Sequence, residues 1–397
     1  MKTRTYTISS SDFPFPAEQL DSILASDPQL KEGVFFDIET TGFSASHDAL
    51  YLIGCCRYEG RNWSLRQWMA ENESPSEQRQ ILQEFLNDIQ DATTLISYNG
   101  RTFDLPFLQK KCASLHLRAE LSAFQHRDLY QEIKELRSPL HLNSLKLKSV
   151  EEFLGIKRED PFTGGELIAV FQSYEQNPSP DLLETLLLHN FEDIQDMLFV
   201  LPILSYKQIL NGGYTFLQAR EVKQKGKETP SSILLSMHFQ NPLPKSLPDR
   251  FLSLNSFLQQ QQTKPLDQQL DPILLHIDEK NMDLTLPVLQ TELKFFYKNY
   301  RDYYYLPIED YAIHKSVASF VDKNYRQKAT PATCYTKKAG VFLPQIEEIY
   351  SPAFQFQLKD SLSWFAYTPT VFTDESKVLR LIHSFLSFFN KSDGFCF

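Results

Sequence analysis

The 397-residue chain contains no apolar run that approaches membrane-spanning length, which takes about 20 consecutive apolar residues in a helix. Basic residues are the minority. The 40 Lys and Arg against 50 Asp and Glu leave a net charge of −10, which favours solubility and argues against a protein that coats nucleic acid through overall charge. Glycine is scarce at 13 residues, and no segment recurs at solenoid period. The five cysteines (Cys55, Cys56, Cys112, Cys334 and Cys396) are an odd number without metal-ligand spacing. Cys55 and Cys56 are neighbours on an expected strand and read as small buried hydrophobes. The opening Met1-Lys2-Thr3-Arg4-Thr5 leads into no apolar segment, so no signal peptide is expected. A reducing cytoplasm is the expected compartment, with no membrane partner.

What is present is a chain too long for one average core, so two domains are expected. Residues 1–30 read as a polar lead-in with one short helix near 17–24. From Gly33 onward strands alternate with helices. An apolar strand starts at Val34, and strands 50–57 and 63–68 complete a meander with it. Ile81, Leu82, Phe85 and Ile89 stand at helical spacing. A strand at 94–98, a helix at 103–114, a short strand around 126–129 and helical stretches from 145 to 154 follow. Residues 182–204 read as one long apolar helix. This alternation predicts an α/β domain with a mixed sheet over 31–206. Beyond the Gly212-Gly213 break, Pro230, Pro242, Pro244 and Pro248 punctuate short apolar runs such as 233–238. Residues 223–227 are polar and charged, and 259–262 form a glutamine tract. Strands are expected at 273–277 and 283–286 across a turn, within a smaller α+β region over 214–397.

Three acidic elements carry the chemistry. Asp37 and Glu39 lie in Val34-Phe35-Phe36-Asp37-Ile38-Glu39-Thr40-Thr41-Gly42. Side chains alternate along a strand, so the two carboxylates share a face. An apolar strand ending in paired carboxylates is costly, because like charges repel and desolvation adds to the repulsion. A bound divalent cation offsets that cost. Asp104 closes Tyr98-Asn99-Gly100-Arg101-Thr102-Phe103-Asp104, where it can equally cap the following helix. His189 and Asp193 are four apart and share a helix face. Asp193 can complete a nest of four carboxylates whose hard oxygens suit Mg²⁺ or Mn²⁺ rather than zinc. Two such ions can clamp the attacking and leaving oxygens of a phosphodiester. His189 is placed to take a proton from water, with a core histidine as the alternative. Asp128 reads as structural or as a support behind the site, and Asp196, one turn beyond Asp193, as a fallback ligand.

The set Asp37-Ile38-Glu39-Thr40-Thr41-Gly42, Asn99 with Phe103-Asp104, and His189 with Asp193 resembles the three motifs of DEDD exonucleases. These are DnaQ-like members of the ribonuclease-H-like superfamily. The segment Leu145-Lys146-Leu147-Lys148-Ser149-Val150-Glu151-Glu152-Phe153-Leu154-Gly155-Ile156 and the run His189-Asn190-x-Glu192-Asp193 are similar to the YprB-type subgroup. The resemblance covers roughly residues 30–205. It implies a ribonuclease-H-like sheet flanked by helices, two Mg²⁺ or Mn²⁺ ions on Asp37, Glu39, Asp104 and Asp193, and 3′–5′ hydrolysis of single-stranded DNA or RNA. It also implies that Thr40, Gly42, Asn99 and Phe103 help shape the substrate site. One departure stands out: the family has His five residues before the last Asp, or Tyr four before it. Here the residue type of one form meets the spacing of the other.

The second region interleaves aromatic and basic residues in Lys294-Phe295-Phe296-Tyr297-Lys298-Asn299-Tyr300-Arg301-Asp302-Tyr303-Tyr304-Tyr305. From Lys294 to Lys338 there are nine Lys or Arg and four Asp or Glu, a local net of +5. Bases stack on rings and phosphates pair with cations, so Lys298, Arg301, Lys337 and Lys338 are candidate nucleic-acid contacts, with Lys315, Lys323, Arg326 and Lys328 as further phosphate contacts. The alternative is a small aromatic core covered by basic side chains. For the whole chain, the alternative to an exonuclease is a non-catalytic nucleic-acid-binding module that keeps the fold. A protein-interaction scaffold is a third possibility.

Overall fold

A computed structural model describes residues 1–226, 228–254 and 270–391. The glutamine tract 259–262, Lys227 and Cys396 lie outside the described residues. Two compact units emerge: Met1–Tyr206 with Asn241–Lys245, and Lys207–Gln240 with Ser246–Phe397.

The first unit is built on a mixed six-stranded sheet in the order β1-β4-β3-β2-β5-β6. Its strands are β1 (Lys2–Ile8), β2 (Val34–Thr40), β3 (Leu50–Glu59), β4 (Asn62–Met69), β5 (Thr94–Ser97) and β6 (Gln125–Asp128). The expected meander is present, with β2, β3 and β4 antiparallel. β5 and β6 continue the sheet in parallel, as crossover helices require.

Residues 1–30 differ from the polar lead-in expected. Lys2–Ile8 is an edge strand paired along its length with β4. Its alternating Thr and Tyr suit a strand. Helix α1 (Ala17–Ser26) follows, then α2 (Pro28–Glu32).

Helices cover both faces of the sheet. Val34, Phe36 and Ile38 pack on one side with Ile81 and Phe85 of α3 (Pro75–Asp88) and Phe107 and Leu108 of α4 (Asp104–Ser114). Helices α5 (Leu129–Lys134) and α6 (Leu147–Leu154) follow β6. On the opposite side, Tyr51, Leu52 and Met69 pack with Leu167 and Phe171 of α7 (Gly164–Gln176) and Leu186 and Leu187 of α8 (Pro180–Phe199). The strand period therefore sends Phe36 and Ile38 to the α3 side and leaves Asp37 and Glu39 facing α8.

Helix α7 was not expected. Its Gly164-Gly165 start masks the period, and a capping box of Thr163 and Glu166 begins it. The long helix expected over 182–204 ends at Phe199 and gives way to the 3₁₀ segment Leu201–Tyr206. Pro202 has no N–H to continue the ladder.

The second unit is mainly antiparallel β. After α9 (Lys207–Asn211), one sheet holds β7 (Tyr214–Val222), β8 (Ser232–Phe239), β9 (Leu247–Leu252), β10 (Ile273–Ile277) and β11 (Asn281–Pro287). The expected pair 273–277 and 283–286 is the β10–β11 hairpin. A three-stranded sheet joins β12 (Leu289–Phe296), β16 (Tyr335–Gln345) and β17 (Ser363–Ala366). Another joins β13 (Tyr303–Leu306), β14 (Tyr311–His314) and β15 (Gln327–Lys328). Short α10 (Lys315–Ala318) and long α11 (Glu375–Lys391) add the helical part. Among the described residues no helix is long and apolar enough to cross a membrane.

Candidate active site

The site forms where the carboxylate face of β2 meets α8. Asp37 lies opposite Gly54 of β3. A side chain at Gly54 would come within 2.2 Å of Asn190 Oδ1 and 2.3 Å of Ile194 Cδ1, so the bare backbone there lets α8 lie close to the sheet. The approach is used by Asn190, whose Nδ2 donates to Asp37 Oδ2 at 2.8 Å. Asn190 is held in turn by fully buried Gln67 of β4, whose Nε2 donates to Asn190 Oδ1 at 2.9 Å.

Beside Asn190 on α8, His189 places Nε2 3.5 Å from Glu39 Oε1 and 3.5 Å from Asp193 Oδ2. Ligand atoms of Glu39, His189 and Asp193 fall within 4.8 Å of one another. Asp37 and Asp104 stand outside that tight trio, but their charges reach it. Burial pushes the Asp37 carboxyl well above its ordinary range, and the charges of Asp193, Glu39 and Asp104 add to this. Glu39 is raised well above its range too, by burial first, then by Asp193 and Asp104. Asp104 is pushed up to about 7, chiefly by burial, although backbone hydrogen bonds at Asp104 and Ile38 pull it down. Neighbouring Tyr51 is likewise raised, by burial and then by the charges of Glu39 and Asp37.

Asp104 opens α4 without a side-chain cap bond from Phe103 before it. The turn leading to it is fixed by Asp128, which accepts from Asn99 N at 2.8 Å and Arg101 N at 3.2 Å. Its charge also acts on Asp104. Asn99 adopts the left-handed region at φ +63°, which Asn tolerates better than most residues. Thr40 Oγ1 donates to Gly42 O at 2.7 Å, tightening the turn after β2. Beside it Phe43 is 91% exposed, its ring 5.8 Å from Phe103 and edge-on to it.

Two residues with no motif of their own complete the surroundings. Asp160 Oδ2 lies 2.6 Å from His189 Nδ1. Arg158, its side chain 8% exposed, places Nη1 2.7 Å from Asp193 Oδ1 and 3.2 Å from Glu151 Oε1. These acids raise the Arg158 pKa even though burial opposes them. Arg158 and Asp160 sit in the loop between α6 and α7, and their meeting with α8 depends on tertiary packing that no local pattern announces. Asn190 had a faint signal, being beside His189.

Asp196, the fallback ligand expected, lies apart from the trio. It is buried, and Arg158 Nη1 is 3.8 Å from its Oδ2. Burial and then the Glu151 charge push it up to about 8. It stands two turns beyond His189, about 10 Å further along the same helix face.

The expected basic contacts belong to the second unit. Lys337 bonds Asp310 and lies 3.9 Å from Glu292. Lys338 lies over the Phe354 ring at 5.5 Å, Lys294 over Tyr335 at 4.1 Å, and Arg326 over Tyr304 at 5.0 Å. Lys315 pairs with Asp302. Three of these cations thus lie against rings and two pair with carboxylates. Lys298 and Arg301 are exposed. Lys298 borders an open cleft of about 1030 Å³ with Phe295, Tyr297 and Tyr300.

A family model described as the RNase_H superfamily matches residues 34–204. The uncharacterized protein YprB of Bacillus subtilis (strain 168) is 28% identical over 176 residues, 44% of this chain and 42% of YprB. The chain thus matches less than half the length of that relative. The structure of the family B DNA polymerase from the hyperthermophilic archaeon Pyrobaculum calidifontis aligns at 17% identity over 46% of this chain and 25% of its own, with a TM-score of 0.36.

Proposed function

We propose, on the premise that residues 34–204 are a YprB-type ribonuclease-H-like domain, that the chain is a metal-dependent 3′–5′ exonuclease acting on single-stranded DNA or RNA in the cytoplasm. The observation that carries this reading is the gathering of Asp37, Glu39, Asp104 and Asp193, in which burial first, and then charges that include that of Asp193, raise the carboxyls of the first three. Such a nest is costly by itself and is relieved by positive charge. Its donors are hard oxygens with one imidazole nearby, which fits Mg²⁺ or Mn²⁺. Asp37, Glu39, Asp104 and Asp193 would hold two such ions. When bound, ions of this class lend positive charge to the phosphate and acidify the attacking water.

The chain's own residues supply the rest. Glu39 orients the water. His189 Nε2, facing Glu39 and Asp193, accepts its proton. The exposed Phe43 ring beside Phe103 gives a terminal base a surface for stacking. Polarity is taken from the likeness of the motifs.

The test is hydrolysis of a 5′-labelled oligonucleotide with Mn²⁺. Stepwise shortening by the wild type, lost in Asp37→Ala, is the expected result. No cleavage of any single-stranded or duplex DNA or RNA overturns the reading. One observation favours a second reading, a non-catalytic nucleic-acid-binding module. Arg158 already places a guanidinium on Asp193, supplying positive charge from within. Oligonucleotide binding that is salt-sensitive and indifferent to Mn²⁺ would select that reading.

A further inference from the structure

The loop residues Arg158, Glu159 and Asp160 reach α8 through four consecutive contacts. Glu192 of α8 accepts from Glu159 N at 2.8 Å through Oε1 and from Asp160 N at 2.9 Å through Oε2. This fixes the loop backbone against the helix. From that anchor Arg158 reaches Asp193 Oδ1 at 2.7 Å and Asp160 reaches His189 Nδ1 at 2.6 Å. Asp160 and His189 are both buried. Asp160 Oδ1 accepts from Phe162 N at 3.1 Å, so its two oxygens have separate partners. Arg158 Nη2 and Lys148 Nζ lie 3.6 Å and 3.8 Å from Asp160 Oδ2 and place positive charge beside it.

We propose that Arg158–Asp160 is the positioning element of the site. In this arrangement Asp160 fixes the Nδ1–H tautomer of His189 so that the Nε2 lone pair faces Glu39 and Asp193, while Arg158 occupies Asp193 Oδ1 and leaves Oδ2 turned inward. A carboxylate accepts and does not donate, so the hydrogen of this bond resides on Nδ1. The bond a histidine makes through one ring nitrogen decides what the other can do. With Nδ1 protonated, Nε2 is an acceptor. This extends the proposed role of His189 and rests on that reading for its catalytic meaning, but not for its geometry. It also bears on the irregular spacing of His189 and Asp193. An imidazole is shorter than a phenol at the same position, and an anchored partner from the loop aims it.

The experiment uses the full chain labelled with ¹⁵N at histidine, with the His189 signals identified by their loss in His189→Gln. Long-range ¹H–¹⁵N spectra are expected to show the Nδ1–H tautomer at His189 in the wild type and its loss in Asp160→Asn. If the oligonucleotide is hydrolysed, Asp160→Asn is expected to lower kcat roughly 10- to 100-fold with little change in KM, the usual scale for losing a histidine's orienting partner. The double variant with His189→Gln should be no slower than His189→Gln alone, because the two residues act as one unit. A wild-type chain whose His189 carries its hydrogen on Nε2 overturns the proposal, whether or not the variant folds. So does an Asp160→Asn chain with wild-type tautomer and kcat. An inactive wild type with the expected tautomer sinks the exonuclease reading while leaving the positioning geometry standing.

Discussion

Asp104 shows most directly what the site costs the fold. Its carboxyl titrates at about 7 in the folded chain against an ordinary value of 3.8, chiefly because it is buried. A raised carboxyl pKa means that the folded state holds its proton to higher pH than the unfolded state. Stability from this group is then complete below about 3.8 and is lost as pH rises through about 7. The difference corresponds to at most about 4 kcal/mol, shared with the charges that surround it. In chelator, the Tm is expected to fall between about pH 4 and pH 7. Asp104→Asn should flatten that fall and raise the Tm at the upper end, and Mn²⁺ should stabilise the wild type there but not the variant. A chelated wild type whose Tm is level across that window would show that the carboxylates are not strained. At this scale, the sequence reveals groups that announce themselves through local rules. Asp37 and Glu39 share a face because strands alternate, and His189 shares one with Asp193 because helices turn. Asp160, Arg158 and Gln67 were silent, because a lone polar residue in a loop or a strand does not say what it will meet.

Between elements, the deciding contact is the seat of α8 on the sheet. The strand period of β2 and the apolar stripe of α8 were both legible, but the closeness of their approach was not. It depends on Gly54, which a sequence alone reads as a weak point in a strand. Gly54→Ala places a methyl into Asn190 and Ile194. The helix must then lift or the side chains move, at a cost of about 1–3 kcal/mol. Denaturant unfolding should register that loss. Mn²⁺ titration should register a weaker site as well, since Asp37 loses its bond from Asn190 while Asp160 and His189, which do not touch Gly54, keep theirs. Unchanged stability and Mn²⁺ affinity would mean that α8 is not held by this contact. The elements that escaped notice share one cause. β1 is a polar edge strand, and α7 begins with two glycines, so neither shows the unbroken apolar period that marks a buried element.

Over the whole chain, charge and architecture divide the work. The acidic nest lies in the first unit, and the net charge of −10 gives no general attraction to phosphate. The basic–aromatic segment of the second unit looked like compensation for this, but most of its cations are already engaged. Lys337 is held by Asp310, and Lys294, Lys338 and Arg326 lie against rings. Sequence counts charges but does not say which are committed to the fold, and so this part was only half legible. Lys298, Arg301, Lys323 and Lys328 remain exposed. If they alone meet phosphates, the salt dependence of single-strand binding should be moderate. Each neutralised phosphate contributes about −0.7 to the slope of log K against log salt on a single strand, so four contacts give about −2.8. Lys298→Glu with Arg301→Glu should flatten the slope and weaken binding at low salt. Lys337→Glu should instead lower the Tm, by breaking its pairing with Asp310. A slope of about −4 or steeper would mean that more cations reach the strand, and that the pairings now covering the aromatic rings open when nucleic acid binds.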